Sequence, residues 1–486
     1  MSNHETLHPS YIKYVDEWIK NIDLYSGDVK REKSTKYLPM PDVISASSAG
    51  LNGEQQNALR RLKENAKSRY DNHILPNAVF YNFIEPTVSV AVAAINRKEP
   101  VVEVDSRMEY IKEDADGMGM SLSQLCRQIN ERQYVTGRIG VLVKAPESGT
   151  LQENTSGEKA PRFKLYPEIS IINWDTKTVK SREVLSLLVL KQQYKSTLNV
   201  FSHETQTEYI VYELTPDGVV WSVYRDGVVY ESDYEMWNGG VAQKIPFVFI
   251  GSNDNDPDVD LPPITTLAAL CHDYYKLNAD YREYLRMGAD IKYCVNAGTH
   301  DTSAEFYSRH NPLGFTAGSG GVPLITLGGS LTAVGAPANT AIPMRLNEII
   351  EMSQKVGASL IESSSSTKTA TQSAFDNSIS TSKMQAVRDC CETGVYEALK
   401  IAHLIMGYPV DNLAFEMTRE LVVSKADANM LTALLNSLKN GGLTRKDYFD
   451  RLVSLGEISD DVDFDEWSVR LDDESAQSMM LVTQNL

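Results

Sequence analysis

The residues from Glu362 to Ala374 read ESSSSTKTATQSA, a run of hydroxyl side chains around one lysine. Ser365 and Lys368 stand at Ser-x-x-Lys spacing, and so do Ser380 and Lys383. At a helix N-terminus this spacing lets the lysine deprotonate the serine for attack on an acyl group, but such enzymes also carry SDN and KTG elements. This chain has neither, and serine- and lysine-rich sequences produce the spacing by chance. Three readings stay open: a slack linker, a Ser-Lys hydrolase site, or a polar loop held where something slides past.

Other chemistry is sparse. The chain has no Walker A loop, and GMGMSL (Gly117 to Leu122) lacks the third glycine of a dinucleotide fingerprint. The eight histidines, at 4, 8, 73, 203, 272, 300, 310 and 403, read as scattered and without ligand spacing. His272, alone on a helix, reads as structural. No catalytic residue, metal or cofactor is expected. LLNSLKNGGLTRKDYFDRLVSLGEI has the outline of a helix-turn-helix, whose second helix would carry clustered basic and amide residues. Here Arg445, Lys446 and Arg451 are balanced by Asp447, Asp450 and Glu457, so the segment reads as a small helical packing unit.

The elements that must position these residues follow from periodicity. Tyr11, Tyr14, Val15, Trp18, Ile19 and Ile22 fall at helical spacing and Gly27 ends that helix. EQQNALRRLKENAKSRY is a second helix. FYNFIEPTVSVAVAAINRKEP is a third, apolar enough from Val88 to Ile95 to be buried. A helix from Ser121 to Tyr134 leads into the strand GRIGVLVKAP. The strands FKLYPEISIINW, EVLSLLVLKQQY, TEYIVYEL, VVWSVYRDG and KIPFVFIGS complete an α+β half with an antiparallel sheet.

The composition shifts at DNDPDVDLPP (Asp254 to Pro263). The long helix beyond it carries Leu267, Leu270, Tyr274, Leu277, Tyr281 and Tyr284 at a 3-4-3-4-3 spacing, a heptad seam suited to a neighbouring long helix. After a short glycine- and β-rich stretch, Ile342, Leu346, Ile349, Val356 and Leu360 repeat such a seam. A third long helix follows the serine run, then the strand-like LAFEMTRELVV. A helix after Ser424 and one started by Thr444, with Asp447 as a capping-box partner, precede an acidic tail.

Composition narrows the function. Apolar residues make up 42% and charged residues 23%, ordinary for a folded chain. No stretch reaches the length of a membrane span, and the opening residues lack the pattern of a signal peptide. Five cysteines without a CxxC pair read as reduced, buried side chains of a cytoplasmic protein. With 47 basic against 65 acidic residues the net charge is −18, which argues against tight grip on nucleic acid but not against passing contact.

An α+β domain, a long helix, a small β insert, a returning helix, a polar loop, another long helix and a helical end resembles the layout of tailed-bacteriophage portal proteins, the head-to-tail connectors. HPSYIKYVDEW, KYLPMP, FYNFIEPTV, GRIGVLVKAP, EISIINW, KIPFVFIGS and HDYYKLNADYREYL carry the resemblance to a portal subfamily catalogued as a domain of unknown function. It covers most of the chain. It implies a portal-like α+β fold with an antiparallel-sheet wing (1–261), stem helices (262–292 and 338–361) and a small β clip (293–337). It further implies a tunnel loop (362–374), a wing return helix and strand (375–423), and an α-helical crown with an acidic tail (424–486).

The resemblance also implies partners: a homo-oligomeric ring, usually of twelve, at one capsid vertex of the virion, assembled in the host cytoplasm. Double-stranded DNA would pass through it non-specifically during packaging and ejection. The terminase large subunit, a head-completion or tail adaptor protein, the major capsid protein and scaffold would dock on it, and no membrane is involved. Ser363, Ser364, Ser365, Ser366, Thr367, Lys368 and Thr369 would face DNA. Lys276, Arg282, Arg286 and Lys292 would face DNA or pair between subunits, and Arg309, His310 and Phe315 would lie at the clip interface. A ring-forming structural adaptor that conducts no DNA is the competing reading.

Overall fold

The computed structural model describes residues 3–30, 33–145, 160–179, 181–195, 205–289, 292–296, 303–310, 330–334, 340–361, 370–419, 432, 435–438, 442–454, 458 and 462–470. The fold is α+β, its sheets antiparallel. The chain divides into two compact units, Met1–Met417 and Thr418–Leu486.

In the first unit, α1 (Pro9–Ser26) starts on a proline that needs no hydrogen-bond partner in a first turn and ends at Gly27, φ +74°. The one-turn helix α2 (Ser34–Tyr37) follows. A capping box of Asn52 and Gln55 opens α3 (Gly53–Arg69), which runs through a π-helical segment, Tyr70–Ile74, into α4 (Leu75–Asn77). Pro76 accounts for the wide turn. Its ring would press on the carbonyl four residues back and it has no N–H to offer, so the helix loosens and the Leu75 N–H reaches back to the Tyr70 carbonyl. In α5 (Ile84–Ile95), Ile84, Val88, Ala91, Val92 and Ile95 are buried but Val90 is exposed, so the apolar run expected to be buried is buried on one face.

After β1 (Val101–Glu103) and the short α6 (Tyr110–Glu113), α7 (Leu122–Thr136) is opened by a Ser121–Gln124 capping box and closed by Gly137. Strand β2 (Arg138–Lys144) follows directly and is buried up to its last residue. FKLYPEISIINW, read as one strand, is two. β3 (Arg162–Pro167) pairs with β2, a 3-10 turn at Glu168–Ser170 intervenes, and β4 (Ile171–Val179) enters another sheet. That sheet is an antiparallel meander completed by β5 (Arg182–Lys195), β6 (Thr205–Thr215), β7 (Gly218–Arg225) and β8 (Val228–Tyr234). A small pair, β9 (Met236–Trp237) and β10 (Gly240–Val241), precedes β11 (Phe247–Gly251), which pairs with β2.

Leu142, Tyr166, Trp174, Leu188, Ile210, Tyr212, Phe247 and Phe249 form a common core of the two sheets. In β6, Glu208, Ile210 and Tyr212 are buried at alternate positions, as one inward face of a strand requires. Glu208 is tolerated there because Arg225 donates to it at 2.8 Å and Gln192 at 2.5 Å.

The rest of the unit is mainly helical. α8 (Thr265–Ala289) leads to β12 (Lys292–Asn296), α9 (Ser303–His310), β13 (Ser330–Val334) and α10 (Ala341–Ile361). β12 and β13 pair antiparallel from Lys292 opposite Val334 to Asn296 opposite Ser330. Next, α11 (Ala370–Met406) begins inside the stretch 362–374 expected to be loop and packs on α7 and β11. The chain returns as β14 (Ala414–Glu416), paired with β1. Cys126, Cys271, Cys390 and Cys391 are buried and unbridged.

In the second unit the helix Arg445–Ser454 is opened by the expected capping box. The Asp447 N–H donates to Thr444 Oγ1 and the Thr444 N–H to Asp447 Oδ2, both at 3.1 Å. Phe449 packs on Trp467 and Phe464, with ring centroids 5.1 and 5.5 Å apart.

Candidate functional site

Helices α8 and α10 pack side by side and bracket the β12–β13 pair. Cys271 donates to the Tyr81 carbonyl, Tyr274 packs edge-on against Tyr81 and Phe83, and Gly357 of α10 lies against Thr87. The first half of α8 and the last turns of α10 thus meet the same end of α5, so the two helices run antiparallel. Their buried stripes are Leu267, Cys271, Tyr275 and Ala279 on α8 and Leu346, Ile349 and Ser353 on α10. The expected seam on α8 is offset from this. Leu270, Tyr274, Leu277, Tyr281 and Tyr284 are half-buried, because α8 is covered by α1 and the π segment as well as by α10.

Of the basic residues expected on the first stem helix, Lys276, Arg282 and Arg286 meet partners within the chain. Lys276 pairs with Asp273 at 3.1 Å. Arg286 donates two hydrogen bonds of 2.8 Å to Glu283, and Arg69, beside the π segment, reaches the same carboxylate at 2.5 Å. Bonds from Arg286, then from Arg69, hold the buried Glu283 carboxyl down at about 2 despite its desolvation. Arg282 meets neutral groups: Asn278 Oδ1 at 2.9 Å, the Tyr81 hydroxyl at 3.3 Å and the Asn77 carbonyl at 3.4 Å. Beside it lies an open groove of about 280 Å³, lined by His73, Leu285 and Arg286 among others. The wide turn at Tyr70–Ile74 forms one wall of this groove.

Lys292 is the first residue of β12. Arg309 and His310 are exposed at the end of α9, where the His310 ring stacks on Phe306 with centroids 4.1 Å apart. Phe315 and the residues Ser363, Ser364, Ser365, Ser366, Thr367, Lys368 and Thr369 lie outside the described residues. Ser380 and Lys383 lie within α11, well past its first turn, and not at the helix N-terminus that Ser-Lys chemistry uses. His272 bonds the Tyr37 carbonyl at 2.9 Å, which ties α8 to the segment after α1.

One histidine reading needs correction. His4-Glu5-Thr6-Leu7-His8 does have HExxH spacing, which on a helix would set both rings on one face for a metal. Here His4 belongs to a 3-10 turn and stacks on Tyr224 of β7, whereas His8 lies just before α1 and stacks on Trp174 of β4. Those strands are three places apart in the sheet, or about 14 Å at the usual strand spacing, so the rings do not converge. Among the described residues no cluster of His, Cys, Asp and Glu could hold a metal ion. Among them, too, no helix is long and apolar enough to cross a membrane.

No family model matches this chain, and no curated protein matches it. Chains from gene transfer agent (GTA) particles are similar among solved structures. One from the virion of a native particle is 10% identical, with a TM-score of 0.38 over 76% of this chain and 88% of that one. One from the neck of an empty particle, computed with C6 symmetry, is 11% identical, with 0.41 over 80% and 93%. One from the neck of a native particle, computed with C12 symmetry, is 10% identical, with 0.39 over 78% and 89%. Likenesses of this size fix no role for the chain.

Proposed function

We propose that this chain is a portal subunit: a non-enzymatic, ring-forming structural protein at one capsid vertex of a phage-like virion. The ring, of about twelve copies as is usual for the family resembled, would be the channel for genome packaging and ejection. The terminase large subunit and a head-completion or tail adaptor would dock on the β12–β13 end, and the capsid and scaffold on the wing.

The observation that carries this reading is the antiparallel helix pair α8 and α10 closed at one end by the β12–β13 pair. A rod of this kind, half-buried along one side, suits lateral packing in a ring. The charge of −18 suits a conduit, since a wall that repels phosphates lets DNA slide instead of stick.

Native mass spectrometry and negative-stain imaging of the full chain test it. The expected result is a closed ring with a central channel. A chain that stays monomeric at every concentration and salt would overturn the reading.

A further inference from the structure

Among the described residues, Arg282 and Glu351 are opposite charges without opposite partners. Among the described residues Arg282 meets only neutral groups. Among the described residues Glu351, exposed on α10, likewise forms no ion pair, whereas its neighbour Glu348 is taken up by Arg345 at 3.0 Å. Each unmatched charge sits beside an exposed apolar side chain: Leu285, 50% exposed, one turn from Arg282, and Met352, 44% exposed, next to Glu351.

The two patches lie on different faces of one rod but at similar heights. Arg282 is seven residues before the end of α8, about 10 Å along the axis, and Glu351 is ten residues after the start of the antiparallel α10, about 15 Å along it. Rotation about an axis parallel to the rod preserves height, so a neighbour in a ring brings one patch against the other. On the portal reading above, we infer that Arg282 of one copy pairs with Glu351 of the next, with Leu285 packed on the adjacent Met352. This contact is heterologous, the type that closes into rings. A second copy fits the groove better than a DNA phosphate does, because phosphate would satisfy Arg282 and leave Leu285 in water.

Charge reversal in the full chain tests the contact. Arg282→Glu and Glu351→Arg should each raise the concentration for half-assembly about tenfold, and the double reversal should recover most of it. Thermal melting checks that each variant is folded. Independently, Leu285→Cys with Met352→Cys should give a ladder of disulfide-linked oligomers on mild oxidation, while either cysteine alone should not. A ring in which the reversals are silent or fail to rescue, and in which no ladder forms, overturns this contact and leaves the portal reading standing. Wild-type chain that never assembles overturns both. Reversals that change DNA passage but not assembly would assign Arg282 to phosphate and overturn the contact.

Discussion

Arg138 Nε and Glu168 Oε2 lie 2.7 Å apart, with both side chains fully buried. The same guanidinium sits over the rings of Trp174 and Phe249, 4.3 and 4.6 Å from their centroids. It also donates to the Pro257 carbonyl and, at 3.0 Å, to that of Asp258. One arginine thus holds the start of β2, the turn at which the chain changes sheets, and the acidic linker that leads to α8. Burial pushes the Glu168 carboxyl up and Arg138 pulls it back only in part, so the pair contributes position more than net energy.

Arg138→Met should leave Glu168 buried without its cation and cost about 3–5 kcal/mol in chemical unfolding. Arg138→Met with Glu168→Leu should recover most of that loss. Hydrogen exchange should rise across the linker in both variants, because both lose the bonds to Pro257 and Asp258. An unchanged linker would mean that it is held by other contacts.

Glu235 makes stability fall with pH. Burial raises its carboxyl from 4.5 to about 7, against a 3.3 Å hydrogen bond from Trp237 Nε1. Below the ordinary value both folded and unfolded chains carry the proton, and this stabilising contribution is fully present. Between 4.5 and about 7 the unfolded chain loses the proton first, so the folded state weakens as pH rises. The loss is bounded at about 3 kcal/mol. Glu235→Gln should flatten this segment of the stability curve, as read by melting temperature from pH 4 to 8 on the same buffer series.

Gly137→Ala should be costly for two separate reasons. Its φ of +86° lies in the left-handed region, and a Cβ there would run into the Asp260 carbonyl oxygen. The chain leaving α7 has to pass against the linker before α8. A loss of about 2 kcal/mol or more is expected on unfolding, with raised exchange at Asp260 and Leu261. A fully native melting temperature would show that the linker can move aside.

Local chemistry was legible in the sequence and long-range pairing was not. Thr444 and Asp447 signalled a helix start because both halves of a capping box lie within four residues. Gly27 and Gly137 end helices for a similarly local reason. By contrast, β1 pairs with β14 across some three hundred residues, and the break at Glu168 that sends β3 and β4 into different sheets depends on Arg138, thirty residues earlier. A signal for it was present, namely an arginine opening the apolar run RIGVLV. Around α8, Lys276, Arg282 and Arg286 could be named from the helix alone. Arg69 could not, since only the wide turn forced by Pro76 sets that helix beside Glu283. HETLH shows the converse: spacing suggests a metal pair only if a helix joins the two histidines, and Pro9 starts the helix after them.

The serine run gives the sharpest test of transit. Ser363 to Ser366 fall in sequence between α10 and α11, which on the portal reading are a stem helix and the helix that returns to the wing. Hydroxyl side chains exchange hydrogen bonds with a moving phosphate backbone at little cost, and Lys368, repeated around a ring, would add one adjustable collar of positive charge to a chain whose net charge is −18. Replacing the four serines with glutamate should repel the DNA, and replacing them with tryptophan should narrow the passage. Both changes should cut packaging of DNA into heads at least tenfold while rings form as before, measured by nuclease-protected DNA alongside native mass spectrometry. Packaging at wild-type levels in both variants would make the segment a linker between two helices. Rings that fail to form would place it in the subunit contact instead.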